Sequence, residues 1–291
     1  MSYWTLVTTR NRCSDLGRTL ESILGQELPC ARIIVFDDGS SDGTMELLET
    51  YRHRYGCITA LRCDDSGYDI KRVVGNWNEC LAEAEREGLD RGVDFTLITA
   101  DDCIYPPNYV RAIVQRMNID PLLVVASGSR GIPAPLDGWK PPEGSGRLIR
   151  NSFLVSVGFR FPEKSGYEPW IVYEAMRRGF KVECINELTY RHLQRFGSGH
   201  RFVEWGYMPH ALGYHPIFFL GRCLQNLLSN AVPRRVILRM LESYLRAYLL
   251  KPRDPFYTPH SSELRSFVRS LQVDRMRKAV VRSAMRFSPK P

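Results

Sequence analysis

A short β-branched and apolar run, residues 95–100, stops abruptly at two adjacent carboxylates, Asp101 and Asp102. Such a run predicts a buried strand that delivers acidic groups to the carboxyl edge of a sheet, where open α/β sheets bind ligands. Adjacent carboxylates repel each other and are costly to desolvate, so we expect a cation or hydrogen-bond donors beside them. A divalent metal carrying a diphosphate would meet that need. The simpler alternative is that the pair caps a helix starting near Pro107.

Strand-like and helix-like segments alternate over the first 130 or so residues, and the second predicted strand also ends in acid, at Asp37 and Asp38. Alternation of buried strands with amphipathic helices is typical of a parallel sheet wound by helices. We therefore expect an α/β fold with a mostly parallel central sheet flanked by helices. The predicted strands are 3–9, 31–36, 57–63, 95–99, 122–128, 152–159 and 180–185, and the predicted helices include 14–26 and 75–87.

The composition is that of an ordinary globular protein, since 44% of the residues are hydrophobic and 25% are charged. A chain of 291 residues can hold one large α/β domain with an appendage, or two smaller domains. The eight cysteines form no CxxC pair, which indicates buried thiols in a reducing compartment. The first residues enter a strand at once and leave no room for a signal peptide, so we expect residence in the cytoplasm.

Charge is distributed unevenly along the chain. Residues 1–196 carry 24 Lys/Arg and 27 Asp/Glu, a net charge of −3, whereas residues 197–291 carry 16 and 5, a net charge of +11. A basic carboxyl third favours a polyanionic partner, and we favour an anionic membrane surface over nucleic acid, which we do not expect as a partner. The alternative is a solvated basic helical face.

The segments 216–230, 234–250 and 261–285 have the apolar spacing of amphipathic helices. Arg222 and the pair Arg234-Arg235 interrupt any apolar run before it reaches the 18 or so residues that span a bilayer. We therefore expect these helices to lie on a membrane surface, against each other, or in a homodimer interface, without crossing a membrane.

Four short motifs occur in a characteristic order: residues 8–12 (TTRNR), 37–44 (DDGSSDGT), 76–78 (NWN) and 100–102 (ADD). Together they resemble family 2 of the glycosyltransferases over about residues 3–195. The resemblance implies a GT-A fold, in which one nucleotide-binding α/β domain carries the donor and acceptor sites. Residues 200–285 resemble, more weakly, the carboxyl extension of a bacterial and archaeal branch. The implied domains are therefore a GT-A domain, 1–196, and a basic helical extension, 197–291.

The resemblance implies an inverting, metal-dependent glycosyltransferase of the hexosyltransferase type. Such an enzyme moves a sugar from a nucleotide-diphosphate donor, of UDP or GDP type, to a hydroxyl on a glycan or lipid-linked acceptor. The implied cofactor is Mn²⁺ or Mg²⁺, and the implied setting is polysaccharide or lipid-linked glycan synthesis, with the protein peripheral on the cytoplasmic face of the membrane.

The same resemblance implies that Asp101 and Asp102 fill the motif that binds the metal and the ribose-diphosphate. Thr99 stands where the commoner Asp-x-Asp-Asp motif has its first acid, so which carboxylate touches the metal is open. We favour Asp102 as the ligand, with Asp101 at the ribose or a metal-bound water. His192 lies where relatives place a residue near the diphosphate or metal, with a structural role as the alternative.

For the nucleotide, the resemblance implies that Asp38 contacts the base and that Thr8 and Arg10 lie near it. Lys71 and Arg72 are predicted in a polar loop that could reach the diphosphate, or that is simply solvated. The nucleotide-sugar-binding residues are then Thr8, Arg10, Asp38, Lys71, Asn78 and Asp101, and the metal ligands are Asp102 and His192.

Glu168 matches the acidic residue that serves as general base in inverting members. It lies at a predicted helix start beside Pro169, where the helix dipole favours an anion, and it could instead be a simple cap. Glu163 is the rival base, and Asp137 a more distant one.

Three other functions are alternatives to a glycosyltransferase. A sugar nucleotidyltransferase shares much of the architecture, but the chain has no glycine-rich phosphate loop after its first strand. A dinucleotide dehydrogenase is disfavoured because no GxGxxG follows a strand. A catalytically silent relative that binds nucleotide or membrane stays open because of Thr99.

Overall fold

The computed structural model describes residues 1–67, 69–131, 139–194, 204–228, 233–250 and 252–287. The chain divides into two compact units. The first comprises Met1–Ile132, Pro141–Pro162 and Arg178–Arg195, and the second comprises Pro133–Lys140, Glu163–Arg177 and Phe196–Pro291. The domain boundary expected after residue 196 stays a prediction.

The first unit is built on a central sheet whose strand order, in the part of the chain that the structure describes, is β3-β2-β1-β4-β7-β6-β8. Neighbours are parallel except at β7, which is antiparallel to both β4 and β6. The expectation of a mostly parallel sheet is confirmed. The strands are β1 Tyr3–Thr9, β2 Arg32–Asp37, β3 Ile58–Arg62, β4 Phe95–Ala100, β5 Cys103–Ile104, β6 Leu123–Ser129, β7 Arg147–Arg150, β8 Lys181–Thr189 and β9 Arg191–His192.

The register of β1 with its two neighbours aligns their carboxyl ends. Thr9 is paired with Asp37 on β2, and Thr8 is paired with Ala100 at the end of β4. These strands are almost wholly buried, as expected for a sheet that is covered on both faces. The acids that follow β2 and β4 are consequently delivered to one edge of the sheet.

A separate antiparallel ribbon forms when β5 pairs with β9. Cys103 lies opposite His192 in this ribbon, although about 90 residues separate them in sequence. Because Cys103 directly follows the acid pair of β4, the ribbon brings His192 to the same sheet edge.

Helices surround the sheet in the first unit, and their apolar faces match the predicted spacing. Leu16, Leu20 and Ile23 of the first helix are completely buried. Each such side chain contributes roughly 1.5–3 kcal/mol when it leaves water. These helices are α1 Cys13–Leu24, α2 Thr44–Tyr55, α3 Lys71–Arg86, α4 Leu89–Gly92, α5 Tyr109–Ile119 and α6 Asn151–Ser156.

Two predictions about this unit are wrong. Residues 152–159 were expected to form a strand, but 151–156 form helix α6, since a short apolar run fits a buried helix as well as a strand. Helix α3 begins at Lys71, four residues before the predicted start, so Lys71 and Arg72 lie in its first turn and not in a loop. The Asp69 carboxylate, one residue before the N-cap Ile70, accepts a hydrogen bond from the Lys71 amide at 3.0 Å.

The second unit is helical in the residues described. Its two apolar clusters form between α9 and α10, around Phe219 and Tyr244, and between α7 and α11, around Tyr173 and Leu264. Of the described helices, none is both long and apolar enough to cross a bilayer. The helices are α7 Tyr167–Arg177, α8 Glu204–Ala211, α9 Pro216–Leu228, α10 Arg234–Leu250 and α11 Ser262–Phe287, with a 3₁₀ turn at Pro255–Tyr257.

Candidate functional site

Asp101, the first acid after β4, is buried and held by two threonines. The Thr9 hydroxyl donates to its carboxylate at 2.8 Å, and the Thr19 hydroxyl of α1 donates to its backbone carbonyl at 2.9 Å. Burial raises the pKa of Asp101 to about 6, although the Thr9 hydrogen bond and the Arg12 charge act to lower it. The Arg12 guanidinium lies 4.0 Å from the other carboxylate oxygen. This carboxylate is fixed in position but only partly neutralised.

Asp102 faces His192 across the ribbon, with its Oδ1 atom 2.9 Å from the imidazole Nδ1. Burial acts to raise the pKa of Asp102, but the hydrogen bond and charge of His192 outweigh it, and the pKa lies below its usual range. Burial acts to lower the pKa of His192, yet the hydrogen bonds to Asp102 and Cys103 raise it to about 9. The backbone amide of Leu193 also donates to the Asp102 carbonyl at 2.7 Å. The ribbon therefore locks this pair together.

The alternative that the acid pair caps the next helix does not hold. Helix α5 begins at Tyr109, and its N-cap residue is Asn108. Asp102 instead bonds His192. The acid pair therefore belongs to the end of strand β4 and does not cap helix α5.

Asp102, Cys103 and His192 offer ligand atoms that all lie within 4.8 Å of one another. The Cys103 Sγ atom is 3.6 Å from the His192 Nε2 atom and 3.8 Å from the Asp102 Oδ1 atom. Ligand atoms that share one ion at about 2.0–2.3 Å lie roughly 3–4 Å apart, so the residues present fit a single cation. The carboxylate among them suits hard cations such as Mg²⁺ and Mn²⁺.

Thr99, at the position of the absent first acid, lies inside the fold. Its side chain is buried, and its hydroxyl is 2.6 Å from the hydroxyl of Tyr105. A carboxylate in its place would be a buried charge within the sheet, which is costly unless it is paired. The neutral hydroxyl suits this environment.

Asp38 is clamped at the end of β2 by groups from three segments. Arg72 of α3 donates to its carboxylate at 2.9 Å, and the Cys63 thiol lies 3.3 Å from the other oxygen. Arg10 donates to the Asp38 carbonyl at 2.7 Å and to the Asp65 carboxylate at 2.6 Å. Charge-assisted bonds of this kind are stronger than neutral ones. The clamp fixes the acid that was predicted to contact the base.

The turn after Asp38 depends on Gly39. Its φ is +73°, which side chains disfavour, and a Cβ atom there would come within 2.6 Å of the Asp65 backbone. The loop around Asp65 therefore packs directly against the turn that presents Asp38.

The remaining predicted nucleotide residues have varied surroundings. Thr8 is half-buried in β1, and the contact with Asp101 comes from its neighbour Thr9. The Asn78 amide donates to the Phe161 carbonyl at 3.0 Å and accepts from the Phe161 amide at 2.9 Å, so it fixes that turn. Lys71 opens α3, the helix that also carries Arg72. The roles of these residues in donor binding stay predictions.

The predicted general base lies in the second unit. Glu168 is in the first turn of α7, and its side chain is exposed. The rival Glu163 is also exposed, while Asp137 lies outside the described residues. The choice of Glu168 as base stays a prediction.

Sequence reasoning assigned no role to Thr9, Arg12 or Cys103 at this site. Thr9 is the last residue of β1 and Cys103 follows the acid pair directly, so position at a strand end was the available signal. Arg12 belongs to a motif that was recognised, but its proximity to Asp101 depends on how the chain turns after β1.

Comparison with known proteins gives a family and a fold. Residues 5–180 match the family model described as Glycosyl transferase family 2, which is more than half of the chain. No curated protein sequence matches the chain significantly.

Solved structures resemble the chain at low sequence identity. The mannosyltransferase PcManGT from Pyrobaculum calidifontis, in complex with GDP-Man and Mn²⁺, is 14% identical with a TM-score of 0.57, covering 98% of this chain and 88% of that one. S. aureus TarS 1–349 in complex with UDP-GlcNAc is 15% identical with a TM-score of 0.55, covering 87% and 74%. A further structure of TarS 1–349 is 17% identical with a TM-score of 0.53, covering 87% and 73%. At these identities the likeness shows the fold alone.

Proposed function

Because the chain belongs to glycosyl transferase family 2 and has the GT-A fold, we propose that it is an inverting, metal-dependent hexosyltransferase. The donor is a nucleotide-diphospho-sugar, and the acceptor is a hydroxyl group on a glycan or a lipid-linked glycan. The observation that carries this proposal is the sheet edge itself, where the Asp38 clamp and the Asp101-Asp102 pair end neighbouring strands around β1.

In this proposal Asp38 accepts hydrogen bonds from the base of the donor. The Arg72 and Arg10 contacts hold the Asp38 carboxylate and backbone in place before the donor arrives. Preorganised groups bind more tightly because less conformational freedom is lost on binding. Thr8, Lys71 and Asn78 are assigned supporting contacts to the nucleotide-sugar.

Asp102 and His192 are the residues that would hold the metal, with Asp101 at the ribose or a metal-bound water. When bound, a divalent cation would neutralise charge on the departing diphosphate. The cation would be Mn²⁺ or Mg²⁺, both of which take carboxylate ligands. The Mn²⁺ and GDP-Man in the PcManGT structure support the same assignment.

Glu168 is assigned the role of general base. It takes the proton of the acceptor hydroxyl while that oxygen attacks the anomeric carbon of the donor sugar. The bond from the anomeric carbon to the diphosphate oxygen breaks, and its electron pair leaves with the nucleoside diphosphate. Attack from the side opposite the leaving group inverts the anomeric configuration.

The donor base is either uracil or guanine in this proposal. The TarS structures hold UDP-GlcNAc or UDP, and PcManGT holds GDP-Man, so the neighbours support both. Cytoplasmic residence also stays a prediction.

The first experiment is a thermal-shift and calorimetry panel of UDP, GDP, CDP and dTDP, each with and without Mn²⁺ or Mg²⁺. We expect one diphosphate to stabilise the protein only when metal is present, because a ligand that binds the folded state alone raises its stability. Asp102→Asn should abolish this response, whereas Asp120→Asn, which alters a surface ion pair with Lys181, should not.

Hydrolysis of the matching nucleotide-sugar then separates an enzyme from a silent relative. Binding without hydrolysis or transfer to any glycan acceptor would favour the catalytically silent alternative. Synthesis of a nucleotide-sugar from a sugar phosphate and a nucleoside triphosphate would instead show a sugar nucleotidyltransferase.

A further inference from the structure

Helix α10 exposes a stripe of leucines opposite its buried face. Leu238, Leu245 and Leu249 are spaced by seven and four residues, which places them on one side of a helix, and they are 67%, 55% and 74% exposed. The buried face, which includes Val236, Met240 and Tyr244, packs in the cluster shared with α9. Three large apolar side chains on one face are more than the scattered exposure that is normal for a soluble protein.

Arginines line one edge of this stripe. Arg235, Arg239 and Arg246 fall next to the leucines at helical spacing, and all are exposed. Glu242 is the single acid within α10, and it is paired with Arg246 at 2.8 Å. The α10 docking face is defined here as the three leucines with these three arginines.

Helix α9 carries a second exposed apolar stripe. Ile217, Leu220, Leu224 and Leu228 follow each other at three or four residues, and each is at least 53% exposed. The face of α9 that carries Phe219 is buried, with its ring stacked on Tyr244 at 4.3 Å between centroids. Each of the two helices therefore buries one face against the other and still exposes leucines to water.

We propose that the α9–α10 pair docks on an anionic lipid bilayer through the α10 docking face and the α9 stripe. Leucines would enter the boundary between headgroups and acyl chains, while the arginines would contact lipid phosphates in the plane above. The lipid bilayer would be a further partner of the protein, and this proposal does not depend on the proposed transfer reaction.

Charge complementarity favours lipid over the other two occupants. A second copy of this chain would offer the same face, whose one acid is already paired, so its arginines would meet no compensating charge. A nucleic acid would neutralise the arginines but leave the leucines in water. An anionic bilayer satisfies both groups of side chains at once.

The test is co-sedimentation of the full chain with vesicles of phosphatidylcholine alone or with added phosphatidylglycerol. We expect binding only with the anionic lipid, weakening as salt is raised. Each basic residue near the surface contributes a factor of about ten or less to the affinity for the membrane. The triple variant Arg235→Gln, Arg239→Gln, Arg246→Gln should therefore lose about a hundredfold in affinity for the anionic vesicles. Leu238→Gln, Leu245→Gln, Leu249→Gln should lose at least about tenfold.

A matched control removes three exposed arginines from the first unit, Arg52→Gln, Arg86→Gln and Arg91→Gln, and should bind vesicles as the unaltered chain does. Circular dichroism confirms that each variant is folded. Equal binding to neutral vesicles, or equal loss in the control, would overturn the proposal. The proposal would also be overturned if the leucine variant converted a dimer to a monomer without changing vesicle binding. It would likewise be overturned if the arginine variant lost affinity for single-stranded RNA without changing vesicle binding.

Discussion

The two units of this protein surround their histidines with opposite chemistry. In the first unit His192 faces Asp102, and its pKa is raised to about 9 because the carboxylate contact outweighs burial. In the second unit burial lowers the pKa of His260, and the charges of Lys164 and Arg265 lower it further. The pKa of the same side chain is thus raised in one unit and lowered in the other.

This contrast follows from how each unit is built. A parallel sheet collects the ends of its strands at one edge, so side chains that are distant in sequence, such as Asp102 and His192, can meet there. Packed helices bury one face each and expose the other, so the basic residues of the second unit cover its surface. The proposed donor site therefore lies at the sheet edge, and the proposed lipid contact lies on a helical surface.

The largest expected effect is a loss of catalytic rate that leaves donor binding unchanged. Glu168→Gln should lower kcat by about 10²–10⁴-fold, because a neutral amide cannot take the acceptor proton. The metal-dependent stabilisation by nucleoside diphosphate, assigned to first-unit residues, should persist. Steady-state kinetics and thermal shift on the same sample measure both quantities.

Glu163→Gln is the matched control for that variant, since Glu163 is also an exposed glutamate, five residues earlier. It should retain activity close to that of the unaltered chain. Loss of activity in Glu163→Gln with full activity in Glu168→Gln would exchange the two assignments.

The next effect tests how tightly the sheet edge is packed. Gly39→Ala should destabilise the protein by about 3 kcal/mol or more, because strain at positive φ adds to a collision with the Asp65 backbone at 2.6 Å. Gly56→Ala shares a positive φ of +67° but meets nothing within 4 Å, so it should cost only about 1 kcal/mol. Urea denaturation measures both, and equal costs would show that the turn can yield.

Local pattern was sufficient to predict the strands that end in acid. The apolar run before Asp101 is a buried strand, and the run before Asp37 is another. Their alignment follows from parallel pairing, which the alternation with helices already indicated. The resemblance, and not the spacing, pointed to His192.

Contacts between distant segments were not predictable in the same way. Which threonine of β1 reaches Asp101 depends on pleat and register, and a shift of one residue turns a side chain to the opposite face. The early start of α3 was missed because Val73, Val74 and Gly75 are weak helix formers. Short apolar runs such as 151–156 carry no decisive period.

A smaller effect tests which threonine of β1 faces Asp101. Thr9→Val keeps the shape of the side chain but leaves a buried Asp101 oxygen without its donor, at a cost of about 1–3 kcal/mol. Thr8→Val, one residue earlier on the opposite face, should change stability by less than about 0.5 kcal/mol. Urea denaturation compares them, and calorimetry with the nucleotide tests the predicted Thr8 contact. A larger stability loss in Thr8→Val would contradict the observed register.

The smallest effect concerns pH in the second unit. His260 is buried, and its Nε2 atom is 3.0 Å from the Ser165 carbonyl oxygen. Because its pKa is lowered in the folded state, the unfolded chain binds more protons below its ordinary pKa of about 6.5. This contribution to stability is therefore complete above about pH 6.5 and is lost as the pH falls below it. Denaturation at several pH values should show a shallower decline in His260→Gln, whereas His53→Gln, an exposed histidine of the first unit, should leave the decline unchanged. An identical slope in all three proteins would mean that burial and the neighbouring charges do not lower the pKa of His260.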